Sequence, residues 1–325
     1  MLVRDLTDGQ QLDQVLLVRA AESRKKKDGG TFLKLTIGDR TGAFTVNVWE
    51  EADAHAELCI PGRPVHVRGV FEVHPKWGAQ ARASFGPAEP GTFDEADLRD
   101  GPPRGAEAME ADLRGLLATV QDQHLRRLLD RVLGEDTSTW AAYRDAPAAK
   151  HYHQAYPHGL LEHSLGVAQS VSAISATFPG IDRDVAVTGA LLHDIGKLEA
   201  YAQDDGLIDL TDAGRLLGEI PLGYYRIRRE IEELPGFPAE TAQAVLHIIL
   251  SHHGALEHGS PVVPATREAT LVHMIDNLGG RLGSFDRLEK ELAPGAVWSG
   301  FDRAINGGAF FGPASEPDDA QRVAA

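Results

Sequence analysis

The sequence is poor in residues that would supply disulfides or a membrane anchor. Cys59 is the only cysteine, which excludes an internal disulfide and a metal cluster held by thiolates. No run of about eighteen apolar residues occurs, so the sequence offers no transmembrane helix. The first residues, Met1–Asp5, turn acidic at once and lack the apolar core of a signal peptide. We therefore expect a cytoplasmic protein without membrane association.

Basic residues are also scarce. The chain has 32 Lys and Arg against 48 Asp and Glu, which gives a formal net charge of −16. This excess of acid argues at first against a nucleic-acid partner, because phosphate binding normally depends on Lys and Arg. The acidity is uneven, however, since residues 1–88 hold 12 basic and 11 acidic residues and residues 89–325 hold 20 and 37. The early part of the chain is therefore electrically compatible with a nucleic acid.

At 325 residues the chain is long enough for two domains. Residues 1–88 have the patterns of strands, and residues 89–105 are rich in Pro, Gly and acidic residues, as in a linker. Residues 106–300 repeat Leu, Ala and Val at the three- and four-residue spacing of helices. The glycines and prolines of residues 301–325 indicate a flexible tail. We predict a multidomain protein with an N-terminal all-β barrel and a C-terminal all-α domain.

The first 88 residues have the element order of an OB fold. Apolar residues alternate with polar ones most clearly at Phe44–Val48, which is typical of a half-buried strand. A polar loop, Glu22–Gly30, separates the first two strands, and residues 50–58 are Ala- and Glu-rich, as in a helix. Three strands, a short helix and two strands form an OB-fold barrel. The predicted strands are Val15–Ala20, Phe32–Ile37, Phe44–Val48, Val65–Val73 and Gln80–Phe85.

OB folds bind single strands by stacking bases on aromatic side chains while basic groups follow the phosphates. We expect Phe32 and Phe44 to fill the barrel core and Trp77, beside a turn, to be exposed. A basic run in the first loop is equally consistent with a solvated hairpin and with a substrate contact. The candidate nucleic-acid-binding residues are Arg24, Lys25, Lys26, Lys27 and Trp77.

Four predicted helical segments of the second domain each carry His or Asp beside an apolar stripe. A single histidine on an apolar face is usually a hydrogen-bonded core residue, but burying several such groups without a metal or partner would be costly. Imidazole and carboxylate without thiolate suit Mn²⁺, Fe²⁺, Zn²⁺ or Mg²⁺. The sequence therefore predicts a helical metal site. The segments are Gly159–Ser164, Ala190–Lys197, Leu246–Gly254 and Val272–Asn277.

These motifs resemble those of the HD-domain superfamily of metal-dependent phosphohydrolases, over about residues 145–290. Asp194 has two oxygens and is able to bridge two cations. The pair His252 and His253 stands where dinuclear members have an extra histidine, and the sequence leaves open which of the two is the ligand. By the resemblance, the signature metal ligands are His163, His193, Asp194 and Asp276.

One position departs from the superfamily pattern. Leu217–Ile220 resembles the segment in which dinuclear members carry Gly-His, and Glu219 replaces that histidine. Glutamate is able to ligate Mn²⁺ or Mg²⁺, so both one and two ions fit the sequence. We expect a divalent metal, Mn²⁺ by resemblance, with Glu219 as a ligand of the second ion.

The whole chain resembles the YhaM-type 3′→5′ exoribonucleases. The resemblance rests on a barrel followed, in this order, by the motifs Gly-Leu-Leu-Glu-His-Ser, Leu-Leu-His-Asp-Ile-Gly-Lys, Leu-Ser-His-His-Gly and Ile-Asp-Asn-Leu. This implies a metal-dependent exonuclease that trims single-stranded RNA or DNA held by the OB fold, and homo-oligomerisation would help to retain the strand. The expected catalytic residues are Asp194, Lys197 and, by resemblance, His153. Lys197 is also consistent with a solvent-exposed lysine near a helix end.

Two other functions fit the sequence. One is an HD phosphohydrolase that acts on a small nucleotide or cyclic dinucleotide, with the barrel as a partner-binding module. The other is a non-catalytic single-strand-binding protein with a decayed HD site. Glu219 leaves room for decay, whereas the intact His193–Asp194 pair and Asp276 argue against it.

Overall fold

A computed structural model describes residues 1–26, 29–74, 78–99, 101–149, 154–204, 207–290, 292 and 296–312. These residues form two compact units. The first unit contains residues up to Arg99 together with the described residues from Ser284 onward, and the second contains residues 101–283. Within the described residues, no helix is long and apolar enough to span a membrane. The domain limits drawn from the sequence remain a prediction.

The first unit contains a closed five-stranded barrel with the strand order β1-β2-β3-β5-β4. All neighbouring strands are antiparallel except β3 and β5, whose short parallel pairing (Thr45 with Gln80 and Val46 with Ala81) closes the barrel. The predicted order of three strands, a helix and two strands is confirmed. The elements are β1 (Gln11–Lys25), β2 (Thr31–Asp39), β3 (Gly42–Val48), α1 (Ala52–Leu58), β4 (Pro64–His74) and β5 (Gly78–Pro87), followed by a short α2 (Glu95–Leu98).

Alternation of side chains produces the barrel core. In β2 and β3 the residues Leu33, Leu35, Ile37, Phe44 and Val46 point inward and are buried, as the period of two in a strand requires. The long strand β1 pairs with β4 through its first half and with β2 through its second half, and its pairing with β2 shifts register at Val18–Ala20, just after the pairing with β4 ends at Leu17. Such a bulge bends a strand, which allows β1 to serve both sides of a closed barrel.

The predicted loop between the first two strands is shorter than expected. Strand β1 continues to Lys25, which pairs with Thr31, so the prediction of a loop was wrong for Glu22–Lys25. The composition of this stretch is polar, but its partner strand presents the buried Leu33 and Leu35 to the core. Pairing with β2 therefore outweighs the low strand propensity of Glu, Ser and Lys.

The second unit is a helical bundle. Helix α7 lies at its centre, because every residue from Val185 to Leu192 is buried and a helix that is apolar on all sides belongs in a core. A small hairpin that the sequence analysis did not predict is also present, formed by β6 (Tyr201–Asp204) and β7 (Leu207–Leu210). The helices are α3 (Ala106–Ala118), α4 (Gln123–Leu133), α5 (Ser138–Asp145), α6 (Gly159–Ser175), α7 (Arg183–Leu192), α8 (Lys197–Ala200), α9 (Asp212–Leu217), α10 (Glu219–Glu232), α11 (Ala239–Ser251) and α12 (Arg267–Lys290), whose residues from Ser284 onward belong to the first unit.

A missing side chain lets α7 and α11 pack closely. A Cβ atom placed on Gly189 of α7 would lie 2.3 Å from Cδ1 of Ile248 on α11. By contrast, a Cβ atom on the exposed Gly166 of α6 would meet nothing within 4 Å.

We expect Gly189→Ala to destabilise the protein by about 1–3 kcal/mol, because an extra methyl group has to be fitted into a filled core. The matched Gly166→Ala variant should gain about 0.5–1 kcal/mol, since alanine favours the helix over glycine. Chemical denaturation of both variants measures these free energies of unfolding. Equal effects of the two substitutions would contradict the close packing of α7 on α11.

Candidate metal centre

The second unit brings together every described residue that the sequence analysis nominated as a metal ligand. Helix α6 supplies one histidine, and the turn after α7 supplies the His-Asp pair. The other candidate ligands come from three places: the first residue of α10, the two residues that follow α11, and α12. In chain order these residues are His163, His193, Asp194, Glu219, His252, His253 and Asp276.

One group of side chains surrounds Nε2 of His163. This atom lies 3.1 Å from Oδ1 of Asp276, 3.3 Å from Oδ2 of Asp194 and 3.2 Å from Nε2 of His193. Nε2 of His193 is in turn 3.4 Å from the same Oδ2 of Asp194. Two imidazole nitrogens and two carboxylate oxygens thus converge on one point. We call this group the first cluster.

A second group lies on the other side of Asp194. Its Oδ1 atom is 3.5 Å from Nε2 of His252, and Nε2 of His253 is 3.3 Å from Oε1 of Glu219. One ligand atom from each of these four residues lies within 4.8 Å of the others. We call this group the second cluster. Asp194 presents one oxygen to each cluster.

Hydrogen bonds to the main chain orient the rings of His193, His252 and His253. Nδ1 of His193 donates to the carbonyl of Ala190, at 2.7 Å, and Nδ1 of His252 donates to that of Ile249, at 2.8 Å. Nδ1 of His253 donates to the carbonyl oxygen of residue 258, at 2.8 Å. With the proton on Nδ1, the lone pair of Nε2 faces the centre. This is the arrangement that metal-ligating histidines adopt.

The donor atoms fit a divalent cation. Among the described residues, three buried atoms at the centre have no hydrogen-bond partner: Oδ1 of Asp194, Oε2 of Glu219 and Nε2 of His252. Leaving such atoms buried and unpaired costs about 1–3 kcal/mol each, and more for charged groups. All three are electron-pair donors, so a cation would satisfy them where a hydrogen-bond acceptor would not. Nitrogen and carboxylate oxygen together suit Mn²⁺, Fe²⁺ or Zn²⁺.

Lys197 lies beside the first cluster and not in solvent. Its Nζ atom is 2.8 Å from Oδ2 of Asp194, and only 11% of its side chain is exposed. Burial alone would lower the pKa of Lys197, but the negative charges of Asp194 and Glu219 outweigh burial and raise it. The side chain therefore remains charged at neutral pH, and the interpretation of Lys197 as a solvent-exposed lysine was wrong.

The carboxylates of the centre are held in their charged form. Burial opposes this, but Lys197 and the neighbouring histidines lower the pKa of Asp194. The pKa of Asp276 is lowered in the same way, chiefly by its hydrogen bond to His163. Burial would also lower the pKa of His163, yet hydrogen bonds to these two carboxylates raise it to about 9. The centre thus holds charged carboxylates, and a cation that binds to it would displace the proton of His163.

The glycine of the His-Asp-Ile-Gly-Lys motif has a steric role. A Cβ atom on Gly196 would lie 1.9 Å from the carbonyl oxygen of Glu219 and 2.5 Å from the amide nitrogen of Gly223. Both of these atoms belong to the main chain of α10 and are unable to rotate away. The absence of a side chain at Gly196 therefore allows α10 to approach, which brings Glu219 to the second cluster.

The other nominated residues fall into two groups. His153, Lys27 and Trp77 lie outside the described residues. Arg24, Lys25 and Lys26 lie in the first unit, at the hairpin of β1 and β2. Arg24 is paired with Glu22 through Nε at 2.9 Å and Nη2 at 2.6 Å. The Nζ atom of Lys26 donates to the carbonyl oxygen of Trp49, at 2.6 Å.

An aromatic pair on the outer face of the barrel was missed. The rings of Phe32 and Trp49 are stacked with their centroids 4.5 Å apart and their planes at 21°. Trp49 is 55% exposed, and Phe32 lies half-buried beneath it, so the expectation that Phe32 fills the core was wrong. Phe44 is buried as predicted. The signal was present in the alternation of β3, because Trp49 follows the inward-facing Val48 and must point outward.

Comparison with known proteins agrees with this architecture. Residues 160–280 match the family model described as HD domain, so the helical unit contains an HD domain, as the motifs predicted. The matched range includes His163, His193, Asp194 and Asp276.

The chain is also similar along almost its whole length to three proteins named 3'-5' exoribonuclease YhaM. It is 27% identical over 288 residues to the protein of Geobacillus sp. (strain WCH70), covering 88% of this chain and 87% of that one. It is 26% identical over 311 residues to the protein of Halalkalibacterium halodurans, covering 94% of each chain. It is 28% identical over 288 residues to the protein of Bacillus subtilis, covering 88% of this chain and 90% of that one. The resemblance to the YhaM-type proteins is confirmed. A solution structure of the hypothetical protein F20O9.120 from Arabidopsis thaliana covers 32% of this chain at 18% identity, and its TM-score of 0.20 is too low to bear on the fold.

We expect Gly196→Ala to impair the second cluster more than the first, because the added methyl group displaces the start of α10 and Glu219 with it. Titration with Mn²⁺ should show one binding event weakened at least about tenfold, which corresponds to about 1.4 kcal/mol. Gly115→Ala on α3, where a Cβ atom meets nothing within 4 Å, is the control and should bind Mn²⁺ as the unchanged protein does. Unaltered binding by Gly196→Ala would refute the steric role of this glycine.

Proposed function

We propose that this protein is a metal-dependent 3′→5′ exoribonuclease that holds a single strand on its barrel and hydrolyses phosphodiester bonds at the centre of its helical unit. The observation that carries the proposal is the convergence of the HD-motif residues His163, His193, Asp194 and Asp276 on one point. Similarity to named exoribonucleases along almost the whole chain, barrel included, supports RNA as the substrate. It favours this function over a small-nucleotide hydrolase, for which the barrel would not be needed.

We assign the residues of the first cluster to one divalent cation and those of the second cluster to another. Asp194 would bridge the two, and His252 and His253 would both ligate the second ion. Mn²⁺ is the ion we propose for both sites, since nitrogen and carboxylate donors are balanced there, although Fe²⁺, Mg²⁺ or Zn²⁺ suit similar ligands. A bound divalent cation lowers the pKa of water and withdraws negative charge from a phosphate.

Lys197 is the residue we propose to act on the substrate directly. Its Nζ atom is held next to Asp194 by charge attraction and is kept protonated there. It would therefore be a fixed positive charge beside a phosphate bound at the centre. A fixed positive charge stabilises the extra negative charge that develops on phosphate oxygens in the transition state. His153, nominated by resemblance alone, is proposed to contact the same phosphate.

The barrel offers a face suited to a single strand. Trp49 extends from the end of β3, and the cation of Lys26 lies 5.9 Å from the centre of its ring. In the next rows, Lys34 of β2 pairs with Asn47 of β3, and Thr36 pairs with Thr45. A base that stacks on Trp49 would place its phosphates near Lys26 and Lys34. Lys25, Lys27, Arg24 and Trp77 are proposed to extend this contact.

Stacking tolerates both RNA and DNA, so DNA is proposed as a secondary substrate. Assembly into a homo-oligomer, which would retain the strand between successive cleavages, and a cytoplasmic location complete the proposal.

We expect Asp194→Ala to abolish Mn²⁺-dependent shortening of a 5′-labelled RNA, because this side chain contributes to both clusters. The rate should fall by at least about a hundredfold, while circular dichroism shows the helices intact. Asp130→Ala, which removes an exposed carboxylate from α4, should produce the ladder of 3′-shortened products at the normal rate. Shortening by Asp194→Ala would refute the assigned centre, and activity only on a small phosphodiester would refute the substrate.

We expect Trp49→Ala to weaken RNA binding by about 1–3 kcal/mol at every salt concentration, because it removes a stacking surface. The triple substitution of Lys25, Lys26 and Lys27 by Ala should instead flatten the dependence of binding on salt, since fewer counterions are released. Fluorescence anisotropy with labelled RNA at several salt concentrations separates the two effects. Trp298→Ala removes another exposed tryptophan of the same unit and should change neither the affinity for RNA nor its dependence on salt. Unchanged binding by both barrel variants would remove this face from the proposal.

A further inference from the structure

One histidine near the centre takes no part in either cluster. His273 lies on α12, one helical turn before Asp276, and its side chain is partly buried. Its Nδ1 atom lies 2.7 Å from the main-chain oxygen of His252. A carbonyl oxygen only accepts hydrogen bonds, so the ring donates from Nδ1. His273 therefore binds the main chain of the second cluster, and it belongs to neither group of possible metal ligands among the described residues.

The carbonyl that His273 contacts belongs to the end of a helix. Helix α11 ends at Ser251, and His252 is its C-terminal cap residue. The last carbonyl groups of a helix have no partner within the helix and need one from elsewhere. His273 supplies that partner from a different helix. The same carbonyl is part of the peptide that joins His252 to His253, so its direction sets where both side chains leave the main chain.

The next residue leaves space for the His273 ring. Gly254 has a φ of +80°, and a Cβ atom on it would lie 2.1 Å from Cε1 and 2.3 Å from Nε2 of His273. The ring occupies the volume that any other side chain would take. The amide of Gly254 also donates to the carbonyl of Ser251, at 2.8 Å, which closes the turn after α11. The His-His-Gly turn and the ring of His273 are therefore complementary in shape as well as in hydrogen bonding.

From this geometry we infer that His273 is a positioning residue for the second cluster: it fixes the peptide between His252 and His253 and connects their turn to the helix that carries Asp276. The inference rests on the proposed metal-binding role of that cluster. The two histidine rings are anchored separately, by the carbonyl oxygens of residues 249 and 258. Among the described residues, only the His273 contact holds the main chain between them from another helix. Its loss should therefore change the affinity for the second ion and spare the first.

The test is a calorimetric titration of the full chain with Mn²⁺. In His273→Ala we expect one of two binding events, the same one that Gly196→Ala weakens, to lose about 10- to 100-fold in affinity, the range found when a group that orients a ligand is removed. The other event should stay within about twofold. His273→Asn should bind both ions with the affinity of the unchanged protein, because the side-chain amide is able to donate near the position of Nδ1. Leu256→Ala removes a largely exposed side chain from the same loop and should leave both events unchanged.

A second variant approaches the same contact from the opposite side. Gly254→Ala should also weaken the second event, because the new methyl group overlaps the His273 ring. In the double variant the ring is absent, so the combined loss should be smaller than the sum of the two single losses. Strictly additive losses would overturn the inference.

The outcomes separate the inference from the proposed function. Two unchanged binding events in His273→Ala, or an Asn variant as weak as the Ala variant, would overturn the positioning role while the metal centre stands. A single binding event in the unchanged protein would overturn both the second cation site and the role of His273. Trimming of labelled RNA by the unchanged protein tests the exonuclease assignment independently.

Discussion

The helical unit depends on one charge placed in its interior. Asp194 follows directly on α7, the helix buried on all sides, and its carboxylate is 2% exposed. A lone carboxylate in such a position would be neutralised by protonation or would destabilise the fold. Its pKa is instead lowered, because Lys197 and the histidines around it outweigh burial. The surrounding helices therefore have to deliver compensating groups to the end of α7, and this requirement determines how α6, α10, α11 and α12 approach it.

Small residues and main-chain carbonyl groups make that approach possible. Gly189 lets α11 pack against α7, and Gly196 lets α10 pack against the turn that follows. The histidines then direct Nε2 inward because Nδ1 is held by carbonyl oxygens of their own helices, as at His193 and His252. Each motif residue between the charged ones thus has a physical task. The glycines set distances between helices, and the apolar residues keep the centre away from water.

Much of this was predictable because the responsible signals are local or cooperative. Alternation in β2 and β3 identifies the barrel, and the His-Asp pair with distant histidines identifies the centre. The sequence-based predictions were wrong where tertiary contacts determine the conformation or the exposure of a residue. The polar stretch up to Lys25 is held in a strand by its partner, Phe32 is drawn outward by Trp49, and Lys197 is drawn inward by Asp194. The role of His273 was hidden for the same reason, since a histidine that binds a distant carbonyl has no pattern in the sequence.

The way in which the barrel closes has a consequence for its motions. Four of the five seams are long antiparallel pairings, whereas β3 meets β5 through a short parallel contact at Thr45 and Val46. Short pairings open at lower free energy than long ones, so transient separation of strands concentrates at this seam. Thr45 lies on the same outer face as Thr36. The surface proposed to carry the strand thus borders the seam with the fewest paired residues, where we expect the strands to separate most readily.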